Sequence, residues 1–186
     1  IIQNEPSQDL GILNKDDLRA YMAQVGNSSN GVYDSQSTYG YQGKYQLGST
    51  ALADLGYVKP GTPQTADALS NPNNWTGKDG VYSAADFRAS PSIQDQAMYD
   101  YTKNNYAALQ NAGVITNATT SDQVAGFLAA SHNDLIGVDG TVNWVTKGQN
   151  LRDANGVTAS ALYNQGRYSQ TQVPVIVASN SSKIVI

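Results

Sequence analysis

Ten residues constrain this chain more than any other stretch: Tyr39-Gly40-Tyr41-Gln42-Gly43-Lys44-Tyr45-Gln46-Leu47-Gly48. Glycines, aromatics and amides alternate in a run too polar for a core element and too regular for a linker. The tyrosines are flat amphipathic rings, and Gln42 and Gln46 each carry a donor and an acceptor. Such a set suits a sugar-binding cleft, where rings stack on pyranose faces and amides bond the hydroxyls. The plainer reading is a tyrosine-rich turn packed on the surface of a domain.

Helical patterns flank this stretch on both sides. Asn14 can cap a first helix, Asp16 and Asp17 suit the positive end of its dipole, and Leu18, Tyr21, Met22 and Val25 recur at helical spacing. Gly26 stops it. Ser49 to Leu55 reads as a short second helix, followed by a loop broken by Pro60, Pro63 and Pro72, with one helical turn at Ala66 to Leu69. Ser83 opens another short turn that buries Phe87. Ser90-Pro91 starts the longest helix, with Ile93, Ala97, Tyr101 and Leu109 on its apolar face and Gly113 at its end. Ser121-Asp122 caps a further helix carrying Val124, Phe127, Leu128 and Ser131 on one face, with Ala125, Gly126, Ala129 and Ala130 small enough for close packing. Val142 to Lys147 and Thr158 to Asn164 are the last helical segments.

From Ser169 the character changes. Val173, Val175 and Val177, then Ile184 and Ile186, sit in two β-branched runs separated by Ser179-Asn180-Ser181-Ser182, the pattern of two strands and a turn. The sequence therefore predicts a mainly α domain over 14–168, with extended β-type tails at 1–13 and 169–186. Unpaired strand edges bearing apolar side chains either pack back on their own domain, pairing with Ile1 to Gln3, or add to the sheet of a neighbouring copy. A homo-oligomer or polymer is the expected partner state.

Composition excludes several functions. Net charge is −4, and no basic stripe is present to meet phosphates, so nucleic acid is not an expected partner. No apolar run approaches a membrane span. With no cysteine there is no disulfide, thiol nucleophile or thiolate metal site. His132 is the lone histidine, without a second at ligand spacing, so no metal and no cofactor are expected. Only 14% of residues are charged, and amides, hydroxyls and tyrosines carry the polarity. That surface, with a start at Ile1 that reads as processed, points to an extracellular or cell-surface protein.

The helix ending in a short polar turn, Gly-Tyr-Gln-Gly-Lys-Tyr-Gln-Leu-Gly over 40–48, and Ala-Leu-Ala-Asp-Leu-Gly-Tyr over 51–57 resemble a lysozyme-like family. These are the peptidoglycan-cleaving, transglycosylase-like domains of phage tails and secreted bacterial proteins. Trp75-Thr76-Gly77-Lys78-Asp79-Gly80, Ala130-Ser131-His132, Asp153-Ala154-Asn155-Gly156 and Gly166-Arg167-Tyr168 extend the likeness along the chain. The resemblance implies a lysozyme-like helical fold and a glycan cleft at Ser28, Tyr39, Tyr41, Gln42, Tyr45, Gln46 and His132.

One departure outweighs the agreement. The family's first helix ends in a catalytic glutamate followed by Ser-Ser-Asn or similar. Here Asn27 stands at that position, with Ser28-Ser29-Asn30 behind it. Glycosidic cleavage needs a carboxylic acid, kept protonated by apolar surroundings, to protonate the leaving oxygen. An amide has no such proton, and general acid catalysis alone is worth roughly 10²–10⁴ in rate. Asp34 is the nearest substitute, and Glu5, the single glutamate, lies in the N-terminal tail. The expectation is a degenerate lysozyme-like domain reused as an extracellular assembly subunit. The alternatives are a peptidoglycan hydrolase or lytic transglycosylase, and a module that binds glycan without cutting it.

Overall fold

Helix α1 (Lys15–Gly26) starts where the Asn14 side chain accepts from the backbone N–H groups of Asp16 and Asp17, both at 2.9 Å. Asp17 reaches back to the Asn14 N–H at 3.3 Å, closing a reciprocal cap. The helix buries Leu18, Tyr21 and Met22 along one face. The computed structural model describes residues 8–171. Beyond α1 these fold into α2 (Ser49–Asp54), α3 (Ala66–Ser70), α4 (Ala84–Arg88), α5 (Pro91–Asn111), α6 (Ser121–His132), α7 (Gly137–Lys147) and α8 (Ala159–Gln170). Short 3₁₀ turns follow α1 and α3 and precede α4. The described residues form no sheet, only isolated bridges such as Gln36–Gln42–Leu47 and Val58–Trp75. The protein is mainly helical, as the sequence predicts.

Several helix limits differ from the sequence reading, each for a local reason. Thr120, not Ser121, precedes α6, its N–H donating to the Gln123 side chain at 3.1 Å. The Ser90 hydroxyl bonds back to the Asp86 carbonyl at 2.9 Å instead of capping α5. Helix α7 begins at Gly137, ahead of Val142. Helix α8 continues past Asn164 through Gly166 to Gln170, because Gly166 is a packing residue and not a stop. A Cβ there would overlap the Ala125 carbonyl and sit 2.7 Å from the Ala129 Cβ. Gly126 is the reciprocal case, its Cα facing the Tyr163 ring and backbone. The small-residue face of α6 thus lets α8 come close, forming the most extensive contact among the described helices.

Beside a small cluster of Ala130, Ile136 and Ala159, one main core runs through the described residues. Leu18, Tyr21 and Met22 of α1 meet Leu47, Leu52, Leu69, Phe87, Met98, Leu109, Val124 and Leu128. Each fully buried side chain of this size contributes about 1.5–3 kcal/mol. Leu10 and Leu13 also belong to this core, bridged to each other by paired backbone hydrogen bonds of 2.7 and 2.9 Å. The helical body therefore takes in the end of the 1–13 segment. Residues 1–7 and 172–186, with Glu5 and the strand positions Val173, Val175, Val177, Ile184 and Ile186, lie outside the described residues.

Candidate functional site

The region between α1 and α2 is a polar knot. Asn27 is the C-terminal cap of α1 and the first residue of the 3₁₀ turn Asn27–Ser29; Asn30 then turns left-handed at φ 55°. The Ser29 hydroxyl faces the Gly26 carbonyl at 3.0 Å and the Lys44 carbonyl at 2.8 Å, so the turn is tied directly to the Tyr39–Gly48 stretch. Gly26 packs under the Lys44 side chain: a Cβ on it would lie 2.9 Å from the Lys44 Cε, which the flexible side chain could give way to. Gly40 is needed, since it adopts φ 89° and a Cβ would stand 2.9 Å from the Thr65–Ala66 backbone. Within the stretch, Gln42 and Leu47 exchange backbone hydrogen bonds of 2.9 and 3.0 Å.

Helix α5 anchors the knot through two adjacent buried polar residues, Gln94 and Asp95. The Gln94 side chain accepts from the Lys44 N–H at 2.9 Å and donates to the Phe87 carbonyl at 3.0 Å. Asp95 accepts from the Tyr45 hydroxyl at 2.7 Å and from the Tyr33 hydroxyl at 2.9 Å. Burial, reinforced by the Asp95 carboxylate, pushes the Tyr45 phenol far above its ordinary range. The Lys44 ammonium rests over the Tyr33 and Tyr45 rings, 4.8 and 5.4 Å from their centroids.

A second side of the knot reaches the end of α6. His132 Nε2 lies 2.8 Å from the Tyr45 carbonyl, so that nitrogen carries the proton and Nδ1 is the bare one. Nδ1 is sealed from solvent and has no partner among the described residues. Burial holds the imidazole below its usual pKa, against smaller opposing effects of the Tyr45 carbonyl and Asp134. The Tyr101 ring meets His132 edge-on at 5.6 Å. Beside it the Tyr41 hydroxyl donates to Asp134 at 3.0 Å. Desolvation first, then the Asp134 charge, pushes that phenol up to about 12.

The positions singled out in the sequence fall into two groups. Tyr45 and Gln42 are buried, and both are occupied with the fold: the Gln42 amide donates to the Gly40 carbonyl at 2.6 Å and accepts from Arg88 at 2.9 Å. Gln46, half-buried, donates to the Gly43 carbonyl at 2.8 Å. Asn27, Ser28 and Tyr39 are exposed, Tyr39 at 67%. Asp34 is exposed too, ion-paired with Arg88 at 3.1 Å. Tyr41, Tyr45 and His132 are brought together, while Ser28 turns its hydroxyl back to the Val25 carbonyl at 3.0 Å.

Sequence reasoning missed Gln94, Asp95, Arg88 and Asp134. The one available signal was polar residues on the buried face of the long helix, where Asp95, Thr102 and Asn105 interrupt the apolar series. Among the described residues no three His, Asp or Glu side chains converge to hold a metal ion. Asp153, in the Asp153-Ala154-Asn155-Gly156 turn, accepts from the backbone of Asn155 and Val157, each at 2.9 Å, and from Asn133 at 3.2 Å. No described helix is long and apolar enough to cross a membrane. No protein-family profile matches the chain, and neither does any characterised protein or solved structure.

Proposed function

We propose that this chain is a catalytically degenerate lysozyme-like domain serving as an extracellular assembly subunit, its tails joining neighbouring copies by strand addition. The observation that carries the reading is how the carboxylates of the knot and its neighbours are employed. Asp34 is exposed and paired with Arg88, whereas a glycosidic acid needs apolar surroundings. Asp95 holds the phenols of Tyr33 and Tyr45, and Asp134 holds Tyr41, so each is engaged in the fold. With an amide at position 27, the region has aromatic and amide groups, and among the described residues Asp34, Asp95 and Asp134 are each already paired rather than free to protonate a leaving oxygen. What sets the chain apart is then its apolar tails.

Sedimentation of the full chain against a version ending at Thr171 tests the assembly. That end point keeps the buried Ser169 and the Gln170 contact to α1. Oligomers in the full chain that become monomers on truncation support the reading, and oligomers unchanged by truncation refute the tail mechanism. The glycan-binding alternative is favoured by one feature, the exposed Tyr39 ring beside half-exposed Tyr41. Retention on insoluble peptidoglycan, lost in Tyr39→Ala, would support it; retention no greater than that of an unrelated acidic protein would end it.

A further inference from the structure

At the opposite end of the core from the 3₁₀ turn at Asn27, a groove of about 480 Å³ opens between the Gly11–Ile12 turn and the C-terminal end of α5. Its volume falls in the range of preformed binding sites, roughly 300–1,000 Å³. Ile12, 49% exposed, gives it apolar surface on one wall, and Ile115 and Tyr106 lie buried beneath it. Gly11 keeps the wall in place: it adopts φ 55° flat against the Tyr106 phenol, where any Cβ would overlap the ring. The remaining lining, Gln110, Thr116 and Asn117, is uncharged and exposed, able to donate to and accept from an extended backbone.

Both ends of the described chain are tied to the first turn of α1, which follows the Gly11–Ile12 wall directly. Gln170, the last residue of α8, donates to the Asp17 carbonyl in the first turn of α1 at 3.1 Å. Asp9 accepts from the Lys15 N–H at 2.9 Å, just across the Leu10–Leu13 turn that forms the groove wall. Fifteen residues follow Thr171, and from Gln172 to Ser182 they carry no charge. The groove carries no charge, and its lining is more polar than apolar with Ile12 exposed on one wall, so an uncharged segment can enter it without burying a charge. In an extended chain Val173, Val175 and Val177 fall on one side, spaced about 6.6 Å apart. Pro174 fixes its own φ and biases Val173 to extended backbone.

We propose that the groove between the Gly11–Ile12 turn and α5 is the acceptor for Val173–Val177 of a neighbouring copy. The proposal rests on the assembly reading above and supplies its receiving surface. Because exit and acceptor share a corner, two copies meeting there exchange tails reciprocally, a closed two-fold arrangement needing only short arms.

The absence of cysteine makes the test clean. Full-length chains carrying Asn117→Cys and, separately, Val175→Cys are mixed, oxidised gently and analysed by intact mass, with Lys147→Cys on exposed α7 as the control partner. The expected result is a mixed 117–175 dimer at least tenfold more abundant than the 147–175 control. Thr116→Arg at the exposed rim should weaken oligomers at least tenfold without altering the melting curve. If the chain sediments as an oligomer but yields no mixed dimer above the control, the groove is not the acceptor, although assembly stands. A chain that sediments as a monomer and forms no mixed dimer removes both ideas. An intrachain bond in the Asn117→Cys, Val175→Cys double variant, with no bond between chains, would show the groove filled by its own tail and overturn the exchange.

Discussion

The α6–α8 contact and the knot around Asp95 hold the same core by opposite means. Between α6 and α8 the fit is one of shape: Gly126 and Gly166 remove side chains so that backbone meets ring and backbone meets methyl. The knot is held by buried polar pairs, Tyr45 and Tyr33 on Asp95, the Gln94 amide against the Lys44 backbone, and His132 on the Tyr45 carbonyl. A shape contact fails when volume is added. A buried polar network fails when one partner is removed, because the remaining group is left desolvated. The difference teaches where this domain tolerates change.

Volume at the α6–α8 contact should have the largest effect. Gly166→Val drives a branched side chain into the Ala125 carbonyl, which is backbone and cannot rotate away. A loss of about 3 kcal/mol or more is expected in denaturant unfolding. Asp95→Ala comes next, at about 2–3 kcal/mol, because it takes the acceptor from a buried phenol. Combining it with Tyr45→Phe should recover part of that loss, and strict additivity of the two would contradict the coupling.

The His132 contribution is smaller and depends on pH. Its folded-state pKa is lowered, so the unfolded chain, titrating near 6.5, takes up the proton first. Stability from this group is fully present above about pH 6.5 and falls as the pH drops below it, until the folded-state value is passed. The melting temperature should therefore decline between roughly pH 6.5 and 5. His132→Gln should flatten that slope, and an unchanged slope would show that another group is responsible. Smallest of all is Asp34→Asn. An exposed pair with Arg88 is worth under about 1 kcal/mol, and its loss should be barely visible in the same assay.

The sequence was most informative where the cause of structure is local. Asn14 with Asp16 and Asp17 announces the start of α1, and Ser83 announces α4, because a cap acts within three residues. The end of α8 was hidden because Gly166 reads locally as a helix stop. Its real partner, Ala125, lies forty-one positions away. The knot was half legible for the same reason. Its glycines and tyrosines stand out in the chain, yet the burial of Gln42 depends on Arg88, and that of Tyr45 on Asp95, fifty positions on. Nothing in a tyrosine's immediate surroundings tells whether its hydroxyl faces a sugar or a buried carboxylate.

The central claim is that this region retains cleft-like residues without a working acid. Incubating the full chain with purified peptidoglycan and resolving the soluble fragments by chromatography tests it directly, with Asn27→Glu run in parallel. No fragments above buffer from the unsubstituted chain is the predicted result. Release of muropeptide fragments by that chain, without any change at Asn27, would contradict the account.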